Sequence, residues 1–199
     1  MADISAQKVK ELRERTGAGM MGCKRALEEA DGDVEKAIAL IRERGQATAA
    51  KKAGREAREG TIASYIHPGG RLGVLIEVNS ETDFVARNDE FQKLVRDLAM
   101  QVAGLDPSYV TIDSIPEDVL AAKRAELTSD AQVQAKPEDV RAQIVEGQLR
   151  KWYQSVVLYE QPFRDTDQRV GDLITDAVAR IGENIRVRRF TRYQLGEDL

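Results

Sequence analysis

The chain has little cysteine or histidine: Cys23 and His67 are the single residues of each type among 199. One cysteine excludes an internal disulfide, and the pair is too small a set for a Cys/His zinc site. Motifs that place a catalytic nucleophile or a phosphate-binding lysine, G-x-S-x-G and G-x-x-x-x-G-K-S/T, are missing as well. We therefore expect no enzymatic activity, no cofactor and no metal site.

Long apolar runs are also lacking, because charged residues make up 32% of the chain and interrupt every hydrophobic stretch. A membrane helix needs about 20 apolar residues, and the first residues, MADISAQKVKELRERTG, lack the apolar segment of a secretory leader. We therefore expect a cytoplasmic protein. Hydrophobic residues still make up 42%, enough for a packed core, and the net charge of −4 argues against a dedicated nucleic-acid binder.

Glycine recurs in the stretch TGAGMMG, where Gly17, Gly19 and Gly22 fit the G-x-G-x-x-G pattern of a dinucleotide-binding loop. That pattern binds a pyrophosphate only where a strand precedes it and a helix follows. The preceding VKELRER has Val9 and Leu12 three positions apart with charges between them, which is the spacing of a helix face. We therefore interpret the glycine spacing as chance, at a turn between two helices.

Three helices are predicted near the start of the chain from hydrophobic spacing, at 4–15, 20–30 and 34–44. Asp3 or Ser5 is expected to cap the first helix, and Gly45 is expected to end the third. Cys23 is expected to be a packing residue of the second helix, whose buried face is expected to consist of Met21, Ala26, Leu27 and Ala30. Residues 46–59, rich in Ala, Lys, Arg and Glu, are predicted to form a solvated helical linker.

A β-hairpin is predicted next, because residues 61–67 and 71–79 flank the turn sequence HPGGR and show period-two patterning. One face of the second strand should be buried, and it consists of Leu72, Val74, Ile76 and Val78. An amphipathic helix follows from about Asn88 to Gly104, with apolar residues at the i, i+3, i+4 and i+7 positions.

Three more helices and a strand complete an α+β fold. The helices are predicted at 116–134, 137–157 and 170–181, and the strand lies in ENIRVRRF, with a bulge before Phe190. The first two helices are expected to form a helical hairpin, and the strand to complete a small three-stranded antiparallel sheet covered by helices. So small a sheet leaves a face or an edge uncovered, which favours a homodimer.

An apolar pair, Phe84 and Val85, stands in the polar connection NSETDFVARND between the second strand and the amphipathic helix. Large apolar residues are usually buried, so Phe84 could fold back as a cap on the core. Aromatic residues also serve as anchors that enter a partner's pocket. The residues alone leave both interpretations open.

Four stretches of the chain closely resemble the elongation factor Ts family: VKELRERTGAGMMGCKRALEEADGD, EVNSETDFVARN, EGQLRKWYQSVVLYEQPF and IGENIRVRRF. The length resembles that of the short members, which have one copy of a core that longer members contain twice. The resemblance implies a ubiquitin-associated-like helical domain at 1–45, a helical linker at 46–59 and a core and dimerisation domain at 60–199, with the antiparallel sheet and the helical hairpin.

The resemblance also implies a function in translation as a guanine-nucleotide exchange factor. Members of the family bind elongation factor Tu, GDP-bound or nucleotide-free, and promote GDP release by dislodging Mg²⁺. The family's T-D-F-V segment is matched by Thr82, Asp83, Phe84 and Val85. In that picture Phe84 wedges between helices of the partner's G domain, and Asp83 supports the contact.

Two further groups of partner contacts are implied. Arg13, Met20 and Met21 match residues of the first domain that contact the G domain, although Met21 could equally belong to the core. His67, in SYIHPGGRLGVL, matches a histidine that approaches another domain of the partner, a contact that could come here from a second subunit. The alternative is that His67 is a solvated turn residue of the hairpin. No membrane and no direct nucleic-acid partner is expected.

The alternative function is a nucleic-acid or ribosome-binding module built on the last strand. Its basic residues are Arg186, Arg188, Arg189 and Arg192, and Phe190 and Tyr193 would stack on bases. The acidic total and the lack of a base-reading motif count against it.

Overall fold

The structure, a computed structural model, describes residues 4–164, 166 and 168–197. These residues form nine α-helices and one three-stranded antiparallel sheet, in the order β1-β2-β3, which confirms the predicted α+β class. The chain groups into two compact units. The first consists of Met1–Gly60, Asn79–Gln92 and Ile174–Arg186, and the second of Thr61–Val78, Lys93–Leu173 and Val187–Leu199. The division into domains at 45/46 and 59/60 stays a prediction.

The first three helices are α1 (Ala6–Thr16), α2 (Met20–Glu29) and α3 (Val34–Lys52). Their core is made of small and aliphatic side chains: Val9, Leu12, Cys23, Ala26, Leu27, Ala30, Ala37 and Ile38. Ser5 caps α1 by accepting a hydrogen bond from the Lys8 amide, while Asp3 lies outside the described residues. The predicted packing role of Cys23 is confirmed.

The third helix does not end at Gly45, so that prediction is wrong. Gly45 is buried inside α3, and a Cβ atom there would lie 3.4 Å from the Cβ of Ala179. A small residue at this point allows close packing, and that contact outweighs glycine's weak helix propensity. At its other end α3 is capped by Asp33, whose pKa is lowered by the hydrogen bond from the Lys36 amide.

The strands are β1 (Glu59–Ile66), β2 (Leu72–Ser80) and β3 (Arg186–Gln194). Alternation along β2 buries Val74, Ile76 and Val78 as predicted, with Leu72 half-buried on the same face. The other face of the sheet leaves large apolar side chains exposed, among them Ile62, Ile66, Leu75 and Tyr193. We call these four residues the open sheet face.

The remaining long helices are α5 (Asp89–Leu105), α6 (Glu117–Ser129), α8 (Glu138–Val156) and α9 (Val170–Ile181), with short helices α4 (Asp83–Ala86) and α7 (Ala131–Gln134). The amphipathic pattern of α5 is confirmed by its buried residues Phe91, Leu94, Val95, Leu98 and Val102. The helix predicted at 116–134 breaks at Asp130, which leaves helical geometry (ψ 127°) and caps α7 through the Gln132 amide. None of the helices described is long and apolar enough to cross a membrane.

Candidate partner-binding site

The connection after β2 forms the short helix α4, and Thr82 begins it. Thr82 has extended backbone angles (φ −128°, ψ 155°), and its Oγ1 accepts a hydrogen bond of 3.4 Å from the Val85 amide. Threonine is a favoured N-cap because its hydroxyl satisfies an amide that the helix itself leaves unpaired. The polar residue before Phe84 therefore has a structural role, which is to start the helical turn that carries the phenylalanine.

Phe84 projects from α4 with 80% of its surface exposed. Its neighbours behave differently, since Ala86 is buried and Val85 is half-buried. The alternative in which Phe84 caps the core is therefore wrong. Leaving a phenylalanine in water forgoes about 1.5–3 kcal/mol of burial free energy, which a partner's pocket can recover.

Asp83, the first residue of α4, is half-buried beside Phe84. Its carboxylate accepts a hydrogen bond of 2.8 Å from Arg87, four residues later. Exposed pairs at this spacing contribute roughly 0.3–0.5 kcal/mol, so the pair adds little to stability. It does keep the Asp83 carboxylate on the same side of the turn that Arg87 occupies.

A second chain segment, just after α9, holds the start of α4. Glu183 accepts hydrogen bonds from the amides of Glu81 (3.1 Å) and Thr82 (3.0 Å), and from the Thr82 hydroxyl (2.7 Å). In return, the Glu81 carboxylate accepts a hydrogen bond of 2.6 Å from the Asn184 amide. We call Glu81, Thr82, Glu183 and Asn184 the loop clasp.

The sequence patterns predict no role for Glu183 and Asn184, although both lie in the stretch IGENIRVRRF that matches the family. Asn184 is itself anchored, because its Nδ2 donates a hydrogen bond of 2.7 Å to the Arg55 carbonyl oxygen. Arg55 also pairs with the Glu81 carboxylate at 3.5 Å. The only local signal was the position of two polar residues after a helix-ending glycine, which is common to many loops.

The second group of matched residues lies on the N-terminal helices. Arg13 is in the last turn of α1, and Met20 and Met21 begin α2. The methionines are 51% and 63% exposed, so the predicted core position of Met21 is wrong. The buried face of α2 is formed by Cys23, Ala26 and Leu27, one helical turn away. Two adjacent exposed methionines form a flexible apolar surface suited to binding a partner.

Gly17 and Gly19 are cap residues, not parts of a phosphate loop. Gly17 ends α1 in the left-handed conformation (φ 67°), and its amide donates to the Arg13 carbonyl oxygen. Gly19 is the N-cap of α2, and a helix precedes the motif where a nucleotide loop needs a strand. The interpretation of the glycine spacing as chance agrees with this geometry.

Gly17→Ala is expected to destabilise the protein by about 1–2 kcal/mol, the cost of a left-handed conformation for a residue with a side chain. The new Cβ would also lie 2.8 Å from the Cδ atom of Arg180. Urea unfolding measures the change, and Gly22→Ala is the control. A Cβ at Gly22 meets nothing within 4 Å, so that variant should be neutral or stabilising. Equal midpoints for Gly17→Ala and wild type would contradict the expectation.

His67 lies at the tip of the β1–β2 hairpin and is exposed. Its Nδ1 atom is 3.0 Å from the Tyr65 hydroxyl, and the two rings are tilted with centroids 6.1 Å apart. Tyr65 therefore limits the orientation of the imidazole and leaves Nε2 directed away from this contact. The predicted role of His67 toward a partner stays a prediction.

The basic residues of β3 are engaged within the chain. Glu77 accepts a hydrogen bond of 2.7 Å from Arg189 and lies 3.6 Å from Arg188. Arg192 lies 3.5 Å from both Asp106 and Glu197. Carboxylates thus neutralise much of the charge that nucleic-acid binding would need, which weakens the alternative function.

Comparison with known proteins identifies the same family that the motifs resemble. The family described as elongation factor TS matches residues 2–197 of the chain. The chain is 55% identical over 197 residues to elongation factor Ts of Carboxydothermus hydrogenoformans, covering 98% of this chain and 91% of that protein. It is 55% identical over 197 residues to elongation factor Ts of Moorella thermoacetica, with coverage of 98% and 97%. For Desulforamulus reducens the identity is 52% over 200 residues, with coverage of 100% and 92%.

Proposed function

Because the chain belongs to the elongation factor Ts family of translation factors, we propose that it is the guanine-nucleotide exchange factor of elongation factor Tu. It binds GDP-bound elongation factor Tu in the cytoplasm and promotes the release of GDP. The factor then dissociates when GTP binds. It forms and breaks no covalent bond and uses no cofactor. The observation that carries the proposal is Phe84, 80% exposed within the matched T-D-F-V segment.

The physical basis of release is the charge balance at the partner's nucleotide site. A GTPase holds its nucleotide through backbone amides of the phosphate loop and through Mg²⁺, which bridges phosphate and protein. The cation offsets repulsion between the phosphates and nearby acids. A factor that displaces Mg²⁺ leaves the GDP charge poorly compensated, so GDP dissociates faster without being touched by the factor itself.

Two surfaces of the chain bind the partner. Phe84 enters between helices of the G domain and shifts the residues around Mg²⁺, while Thr82 and Asp83 hold the turn. Met20, Met21 and Arg13 bind the G domain from the N-terminal helices. Weakening nucleotide affinity about a thousandfold requires about 4 kcal/mol of coupling, more than one exposed side chain is expected to supply.

Thermodynamic linkage allows an incoming nucleotide to displace the factor. If the factor lowers GDP affinity by a given ratio, GDP lowers the affinity of the factor by the same ratio. A nucleotide that rebinds with Mg²⁺ therefore expels the factor, and the cycle can repeat. This reciprocity explains why an exchange factor must bind its partner tightly without nucleotide and weakly with it.

Release of a fluorescent GDP analogue tests the proposal directly. The analogue is preloaded on bacterial elongation factor Tu and chased with unlabelled GDP, with and without the protein. We expect release to accelerate with protein concentration and to saturate. A release rate that the protein does not change would reject the function and leave only the family membership.

Arg13→Ala is expected to weaken the complex with nucleotide-free elongation factor Tu about tenfold, the factor that corresponds to about 1.4 kcal/mol. Arg13 is exposed, and no ion pair of its guanidinium is present among the described residues, so stability should change little. Titration calorimetry gives the affinity and thermal unfolding the stability. Arg42→Ala, at an exposed position of α3, is the control. A large loss of melting temperature with unchanged affinity would reverse the assignment.

The open sheet face supports the second part of the proposal, a homodimer. Monomeric proteins seldom leave several large apolar residues together in water. Leu75 lines two neighbouring grooves on this face, of about 310 and 580 Å³. A second copy placed on the same face would bury the open sheet face of both chains. In such a dimer the contact implied for His67 would come from the second subunit.

A further inference from the structure

We infer that Glu183 is a positioning residue for nucleotide exchange, which acts by holding Phe84 in the orientation that the partner meets. The expected effect on GDP release rests on the proposed function, and the positioning of Phe84 rests on the hydrogen bonds of the loop clasp. Glu183 itself need not contact the partner. Its effect passes through Thr82 and the first turn of α4.

The clasp is reciprocal, because each segment supplies a carboxylate that binds the backbone of the other. The Glu183 carboxylate binds the backbone of residues 81 and 82, and the Glu81 carboxylate binds the backbone of residue 184. Backbone amides are the donors in each direction, which fixes main-chain position and not merely side-chain packing. The two segments are separated by 101 positions in sequence at the Thr82–Glu183 contact.

Helix α4 depends on such support because it has only four residues. Forming a first helical turn costs more backbone entropy than its hydrogen bonds return, so a helix of this length does not persist alone. Thr82 is both the N-cap of α4 and the donor to Glu183. One hydroxyl thus joins the clasp to the turn that carries Phe84.

The Phe84 side chain is 80% exposed, so its own packing does little to set its direction, and the direction follows from how α4 is held. A side chain that samples several directions in the free protein must be ordered when it binds, and that ordering lowers affinity. A preoriented Phe84 avoids this cost. The charge on Glu183 suits the task, because charge-assisted hydrogen bonds are stronger than neutral ones.

The first test is a double-mutant cycle in the GDP-release assay. Glu183→Ala is expected to lower the acceleration of release about tenfold, and Phe84→Ala to lower it further. In the Phe84→Ala background, Glu183→Ala should cause no additional loss, because its effect requires Phe84. Independent, multiplicative losses would overturn the inference, since a general structural defect acts whether or not Phe84 is present.

Conservative and matched variants complete the cycle. Glu183→Gln keeps an oxygen that can accept the two amide hydrogen bonds, so it should retain most of the activity, with a loss of about threefold. It replaces Glu183→Ala in the cycle if the alanine variant does not fold. Glu160→Ala removes a carboxylate that is also half-buried and that binds Arg169 in the second unit, and it should leave release unchanged.

Amide hydrogen exchange on the protein without its partner separates this inference from the proposed function. In Glu183→Ala the amides of residues 81, 82 and 85 should exchange about tenfold faster or more, while those of β2 keep their wild-type rates. Unchanged protection of the amides at 81–85 would overturn the inference, whatever the GDP-release assay shows. If wild-type protein fails to accelerate GDP release, the function is rejected, and the amide rates alone then decide whether Glu183 orders this turn.

Discussion

Phe84→Ala is expected to lower the acceleration of GDP release from elongation factor Tu by about 30-fold, the factor that corresponds to roughly 2 kcal/mol of a central interface aromatic. The side chain is 80% exposed, so its removal leaves no cavity in the protein. The free energy of unfolding should change by no more than about 0.5 kcal/mol. Activity and stability should therefore separate cleanly in this variant.

Two controls make the Phe84 result specific. Leu105→Ala removes another exposed apolar side chain, at the end of α5, and should leave GDP release unchanged. Phe84→Leu keeps apolar volume without the aromatic ring and should retain part of the activity. Release by Phe84→Ala at the wild-type rate would show that the exposed ring does not drive GDP release, and would leave the N-terminal helices as the surface that does.

Leu75→Glu is expected to convert the proposed homodimer to a monomer. Leu75 lies at the centre of the open sheet face and lines both of its grooves. In a symmetric pair the substitution places two carboxylates in an apolar interface, and burying an unpaired charge costs several kcal/mol. Light scattering at micromolar concentration should give one chain's mass, 22.1 kDa, for the variant and twice that value for wild type.

Val140→Glu is the matched control for the dimer. Val140 is an exposed valine in the first turn of α8. It belongs to the second unit and lies far from the three strands in sequence. The same new charge there should leave the mass of the dimer unchanged. A wild-type protein that is strictly monomeric at micromolar concentration would reject the dimer, and with it a contact of His67 from a second subunit.

Local patterns predicted most of the secondary structure correctly, for reasons visible in particular elements. The 3.6-residue period of α5 and the period of two in β2 are both written in consecutive residues. The predicted end of α3 at Gly45 failed because a contact with Ala179, far away in sequence, favours continuing the helix. The predicted burial of Met21 failed because the neighbouring positions on α2 already supply that core with Cys23, Ala26 and Leu27.

The sequence by itself determined the family, the α+β class and the segment Thr82–Val85 in which the function is proposed to lie, because motifs and periodicity are properties of neighbouring residues. Only the tertiary structure decided that Phe84 is exposed and that Glu183 holds the start of α4. Exposure and hydrogen bonding depend on which distant segments meet in space. No pattern within a short stretch predicts such a contact, so the role of Glu183 becomes visible only in the folded chain.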